Sequence, residues 1–162
     1  MIILEVIMKQ TEKIQISLVT KYLMILLMII DLIVMAALPF ELKTMLKMFY
    51  EPDSAQQMLS YYYVLLYVCG ILVLLILNNL RFLLNSMITD QPFVRSTEKR
   101  LMQIGIESFL IGAILIIKIF LQNSMMTMTS AGVFILAGLF CFVLSDLFHR
   151  AVDYKEENDL TI

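Results

Sequence analysis

The chain has 162 residues, 60% of them apolar and only 16% charged, with a formal net charge of −2 and a mean hydropathy of +0.87. A soluble domain is about 45–50% apolar and about 25% charged, so an ordinary soluble enzyme or binding domain is excluded. The length allows one domain, read here as a single membrane domain over 1–162. The charge balance alone argues neither for nor against nucleic acid.

The opening Met1-Ile-Ile-Leu-Glu-Val-Ile is too short for a signal-peptide core and lacks a basic lead or a small-residue cleavage site. Met8, followed by Lys-Gln-Thr-Glu-Lys, reads as the true start. The alternative is Met1, with a short membrane-surface segment ahead of the first helix.

Four apolar spans follow, at about 18–40, 59–77, 104–121 and 130–148. Each falls in the window of about 17–25 residues that crosses a bilayer. No barrel-like alternation is present, so α-helices are the structures that satisfy the backbone in lipid. The expected fold is all-α: a polytopic membrane protein, a four-transmembrane-helix bundle. The first span ends at Pro39, and the second is entered through Tyr61, Tyr62 and Tyr63. Cys69 and Cys141 lie inside apolar spans and read as buried free thiols.

Orientation follows from the basic residues of the short loops. Lys9, Lys13 and Lys21 lie near the N-terminus, and Arg81, Arg95, Lys99 and Arg100 lie in or beside the middle loop 78–103. Arg150 and Lys155 lie in the tail 149–162. In the first loop Lys43 and Lys47 are balanced by Glu41, Glu51 and Asp53, and Gln122–Thr129 is uncharged. Both termini and the middle loop are therefore expected in the cytoplasm, with Tyr50 and Tyr61–Tyr63 in an outer aromatic belt. The third helix should begin before the membrane, with Pro92 in its first turn and Ser96 or Thr97 as N-cap. Arg95, Lys99 and Arg100 would sit on its projecting turns, as positive-inside anchors or as a site for anionic lipid or a partner.

Gly105 and Gly112 lie one heptad apart, as do Ala131, Gly138 and Ser145. Small residues let membrane helices approach closely. Folding helices three and four about position 125 pairs Gly112 with Gly138 and Gly105 with Ser145. Ionisable residues within the spans are Asp31, Glu107, Lys118 and Asp146. Asp31 and Lys118 lie at comparable depths, and Glu107 shares a helix face with Lys118. An Asp31–Lys118 ion pair setting helix register, a Lys118 that snorkels outward, and a proton- or ion-coupled path all remain open.

Phosphate loops, dinucleotide turns, nucleophile elbows and His/Cys clusters are absent from the sequence. The lone histidine, His149, reads as a helix-end anchor. No enzyme, metal or cofactor is expected, and the 13 methionines suit adaptable helix packing.

Two stretches carry a resemblance: Asp90-Gln-Pro-Phe-Val-Arg-Ser-Thr-Glu-Lys-Arg-Leu-Met-Gln-Ile-Gly105 and Ala151-Val-Asp-Tyr-Lys-Glu-Glu-Asn-Asp-Leu-Thr-Ile162. With the four spans, they resemble the bacterial membrane family catalogued as domain of unknown function twenty-nine seventy-five. In that family a Pro-Phe-Val segment starts helix three and the chain ends in a Glu-x-Asp-Leu-Thr-Ile/Val tail. Gln91 stands where the family often has Asn. The resemblance implies a multi-pass protein of the bacterial cytoplasmic membrane. Family members are often encoded beside a small Cro/C1-type helix-turn-helix regulator, which implies such a partner and no direct nucleic-acid contact.

The residues expected to bind the partner are Pro92, Phe93, Arg95, Lys99 and Arg100, with Glu156, Glu157, Asp159, Leu160 and Ile162. The leading expectation is a membrane protein that restrains or signals to that regulator. One alternative is a small transporter or stress/immunity membrane protein using Asp31, Glu107 and Lys118. Another is a structural bundle that forms homo-oligomers through small-residue faces.

Overall fold

A computed structural model describes the backbone of residues 2–49, 52–88, 95–121 and 124–159, and the side chains within 19–44, 59–86, 95–120 and 124–158. The described chain is entirely helical: α1 (Ile2–Phe49), α2 (Pro52–Ile88), α3 (Arg95–Leu121) and α4 (Met125–Asp159). Each contains a segment long and apolar enough to cross a membrane. Successive helices run antiparallel, and only consecutive helices pack: α1 on α2, α2 on α3, α3 on α4. The α1 backbone therefore approaches neither α3 nor α4.

The helices outrun the expected spans, for local reasons. Pro39 sits inside α1 and does not end it. A proline removes one i→i−4 bond and crowds the carbonyl four residues back, yet α1 continues through it to Phe49. The Tyr63 hydroxyl donates to the Pro39 carbonyl at 3.0 Å, tying α2 to α1 at that point. Pro52 opens α2, where its missing N–H costs nothing.

The polar stretch 124–129, expected as a loop, is mostly the first turn of α4. The Ser124 carbonyl accepts from the Met128 amide at 3.0 Å, starting the helix ladder. Thr129 and Ser130 donate their hydroxyls to the Met125 and Met126 carbonyls. Their polar groups are satisfied within the helix and need no loop. At its other end α4 continues through most of the expected tail, to Asp159.

The α1–α2 joint is made of large side chains over one notch. A Cβ on Gly70 would lie 2.9 Å from Met35 Cγ and Sδ, so the thioether fills the space this glycine leaves. Tyr62 is buried beside Leu42 and Leu59. Tyr61 is exposed, so the tyrosines divide between a surface ring and two that pack on α1. Tyr50 lies outside the described residues.

The α3–α4 hairpin is closer. A Cβ on Gly138 would come within 3.1 Å of the Gly105 carbonyl and 2.7 Å of the Phe109 ring. One on Gly112 would meet Ile135 at 2.9 Å and the Ala131 carbonyl at 3.6 Å. Phe109 stacks on Phe142 with centroids 5.4 Å apart. Gly105 thus faces Gly138, Gly112 faces Ala131, and Ser145 donates to the Glu98 carbonyl at 3.1 Å. Every pairing lies one heptad from the Gly112–Gly138 and Gly105–Ser145 expectation. The heptad spacing permits slips only in whole heptads. The small-residue stripes can match one heptad apart, and the observed register is the one in which Phe109 stacks on Phe142 and Ile135 fills the space at Gly112.

Candidate functional site where α2, α3 and α4 meet

The polar side chains of the bundle gather where α2 ends, α3 begins and α4 ends. An apolar floor of Leu83, Leu101 and Ile104, with Ile76, Leu80, Cys141, Leu144 and Phe148 against it, holds the three helices together. Thr97, expected as an N-cap, is instead an interior residue of α3. It is buried, and its hydroxyl meets that of Ser86 on α2 at 3.2 Å. Ser96 also lies within the helix, and Pro92 and Phe93 lie outside the described residues.

Asn79 on α2 is the hinge of one network. Its Nδ2 donates to both Glu107 carboxylate oxygens, at 3.0 and 3.3 Å. Its Oδ1 accepts from Arg100 at 3.0 Å. The Arg100 guanidinium also lies over the Phe82 ring, 3.9 Å from its centroid, a cation–π arrangement. One amide thus joins a cation and a carboxylate of α3 from the neighbouring helix. Arg100, expected on a partner-facing turn, is committed inward. The sequence reading missed Asn79; its signal was an amide side chain at the end of an apolar run, just before Arg81.

A second cluster closes the α3 start against the α4 extension. Arg95 Nη2 lies 2.8 Å from Asp153 and 2.8 Å from Glu156, and its Nε donates to the second Glu156 oxygen at 3.2 Å. His149 places Nδ1 3.1 Å from Glu98 and Nε2 3.4 Å from Asp153. Both contacts are hydrogen bonds together only when the ring carries two protons. Asp146 and Arg150 pair along α4 at 3.0 Å. A helix start is its positive end, so acids at the end of α4 are favourably placed beside the first turn of α3. Lys99 and Glu157 are exposed. The Asp159 side chain, Leu160 and Ile162 lie outside the described residues.

The Arg95 hydrogen bond, and then its charge, holds the Glu156 carboxyl below the usual carboxylate range. A carboxylate lowered in the folded state contributes above its unfolded value and loses that contribution as pH falls through the folded one. The clasp should therefore be complete at neutral pH and open in acid. Because both side chains are exposed, salt should weaken it. Hydrogen-exchange protection at 151–158, taken relative to the intrinsic rate at each pH, should fall on acidification, and in Arg95→Ala already at neutral pH. Identical protection in all three conditions would contradict this.

The intramembrane charges are not brought together. Asp31 lies on α1, with α2 between it and α3, and its Oδ2 is buried without a hydrogen-bond partner. Lys118 Nζ sits 5.6 Å from the Tyr62 ring centroid. Glu107 is held by Asn79. The Asp31–Lys118 pair does not form, because the chain interposes α2 where the sequence reading set helix one against helix three.

The family described as Protein of unknown function (DUF2975) matches the chain over residues 11–162. The chain belongs to this family. Both motif stretches, 90–105 and 151–162, fall inside the match to DUF2975, and so does every residue of the two polar clusters. No curated protein and no solved structure matches the chain.

Proposed function

We propose that this member of the DUF2975 family is a regulatory protein of the bacterial cytoplasmic membrane that restrains a basic cytoplasmic partner through the acidic extension of α4. The partner class favoured is a small Cro/C1-type helix-turn-helix regulator, whose DNA-facing surface is basic. The observation that carries the reading is Arg95 seated between Asp153 and Glu156 on an exposed surface.

The acidic face of α4 accepts a guanidinium with bidentate geometry. The Arg95 that occupies it is solvent-accessible, and exposed ion pairs are weak. Arginines of a partner can therefore displace Arg95 and take the same carboxylates. Arg95 then acts as an internal placeholder, and the helical extension of α4 presents Glu156 and Glu157 beyond the span. Among the described residues Asp31, Glu107 and Lys118 are separated, so the transport alternative has no assembled charge path behind it.

The test is co-sedimentation of the purified regulator with membranes carrying the full-length protein. Removing Glu156–Ile162 should release the regulator, and Arg95→Ala should increase its retention. Retention unchanged by both defeats the proposal.

A further inference from the structure

We infer that the cleft between α1 and α2 at Lys21 and Arg81 is a binding site for the headgroup of an anionic phospholipid. The cleft is about 270 Å³ and is lined by Lys21, Met24, Arg81, Phe82, Leu84 and Asn85. It brings one cation from each of two antiparallel helices to a single space. No carboxylate lines it, and neither Lys21 nor Arg81 makes a salt bridge among the described residues. Every other arginine side chain described has a partner: Arg95 in the clasp, Arg100 on Asn79 and Arg150 on Asp146. Two cations facing one cleft, with no counter-charge among the described residues, call for an anion.

Position selects the kind of anion. Lys21 lies just inside the expected start of the first span and Arg81 just beyond the end of the second, so the cleft opens at the boundary of the hydrocarbon. A cleft this small sits at or below the lower end of ordinary ligand pockets. It accommodates a phosphodiester headgroup and leaves the acyl chains in the bilayer. Met24 and Phe82 supply apolar wall on the bilayer side, and Asn85 adds an amide to the polar rim. The exposed apolar side chains of α1 beside it, Leu23, Leu26 and Leu27 among them, offer the surface along which acyl chains lie. Arg100, 3.9 Å from the centroid of the Phe82 ring that lines the cleft, adds positive potential nearby. Paired cations at the membrane surface favour anionic over zwitterionic lipid.

The site has a structural consequence. The α1 backbone packs only against α2, so a phosphate bridging Lys21 and Arg81 would fasten the least-held helix at its start. Anionic lipid should therefore stabilise α1 against α2.

The full-length protein is placed in nanodiscs of phosphatidylcholine containing a minor fraction of phosphatidylglycerol, and the lipids it retains are counted by native mass spectrometry. Lys21→Gln with Arg81→Gln should lower phosphatidylglycerol retention about ten-fold, and each single change about three-fold. Arg150→Gln, which removes a cation outside the cleft, should retain it as the unsubstituted protein does. In pure phosphatidylcholine all variants should unfold at the same temperature, so the loss is not one of folding. If the double variant fails to fold, the two single variants carry the decision. Retention unaffected by the cleft substitutions, or lowered equally by Arg150→Gln, overturns the inference. So does soluble glycerol phosphate displacing phosphatidylglycerol at equal concentration, because the site would then be one for a free anion.

Discussion

Gly138→Ala should destabilise the protein by about 1–3 kcal/mol, the usual cost of forcing a methyl into a filled space. The added Cβ would lie 2.7 Å from the Phe109 ring and 3.1 Å from the Gly105 carbonyl. Neither neighbour yields cheaply: one is backbone, and the other is a ring stacked on Phe142. The same substitution at Gly132 meets nothing within 4 Å. There it should be neutral or stabilising by up to about 1 kcal/mol, since alanine loses less backbone entropy in a helix than glycine does. Thermal unfolding in detergent can be followed by the reaction of Cys69 and Cys141, both free and partly buried, with a thiol-reactive dye. Equal midpoints for the two variants would show that the Gly105–Gly138 contact does not hold the hairpin.

The second large effect is expected at Asn79. Asn79→Leu removes the acceptor of Arg100 and the donor to Glu107 together. Two charged groups at the α2–α3 boundary lose their link, for a cost of about 1–3 kcal/mol. Adding Glu107→Leu should recover much of the loss, because the orphaned carboxylate is then gone. A double-mutant cycle of Asn79→Leu and Glu107→Leu reads this coupling directly. Strictly additive effects would mean that the two side chains act independently, whatever their distance.

These two sites differ in how legible they were. Gly105, Gly112, Ala131 and Gly138 stand out in the sequence because small residues at heptad spacing can share one helix face, and the structure does place them between α3 and α4. Their pairing was off by one heptad, because stripes repeating every seven residues can match at two registers and the sequence alone does not choose between them. Asn79 carried no periodicity to mark it. Its importance rests on two residues of another helix, Arg100 and Glu107, whose approach no local pattern encodes. The charged residues of the spans were easy to find and hard to pair. Depth along a helix can be counted from the sequence, but the neighbour of a helix cannot.

The acidic C-terminal segment shows the same division. Its composition was plain, and so was its nearness to the basic start of helix three once charge bias placed both on one side. That it stays helical to Asp159 and lays Asp153 and Glu156 on Arg95 depends on the antiparallel α3–α4 packing, which sets those side chains beside the positive end of α3.

The sequence by itself determined that the chain is a set of four helices apolar enough to cross a membrane, with most of its charges outside the spans. Long uncharged apolar runs admit no other structure in lipid, and that property is local. Only the tertiary structure decided which heptad of α3 meets which of α4, that α2 separates Asp31 from Lys118, and which carboxylates hold Arg95. Those depend on turn length and on the order in which helices pack, and both are settled by contacts between residues far apart in the chain.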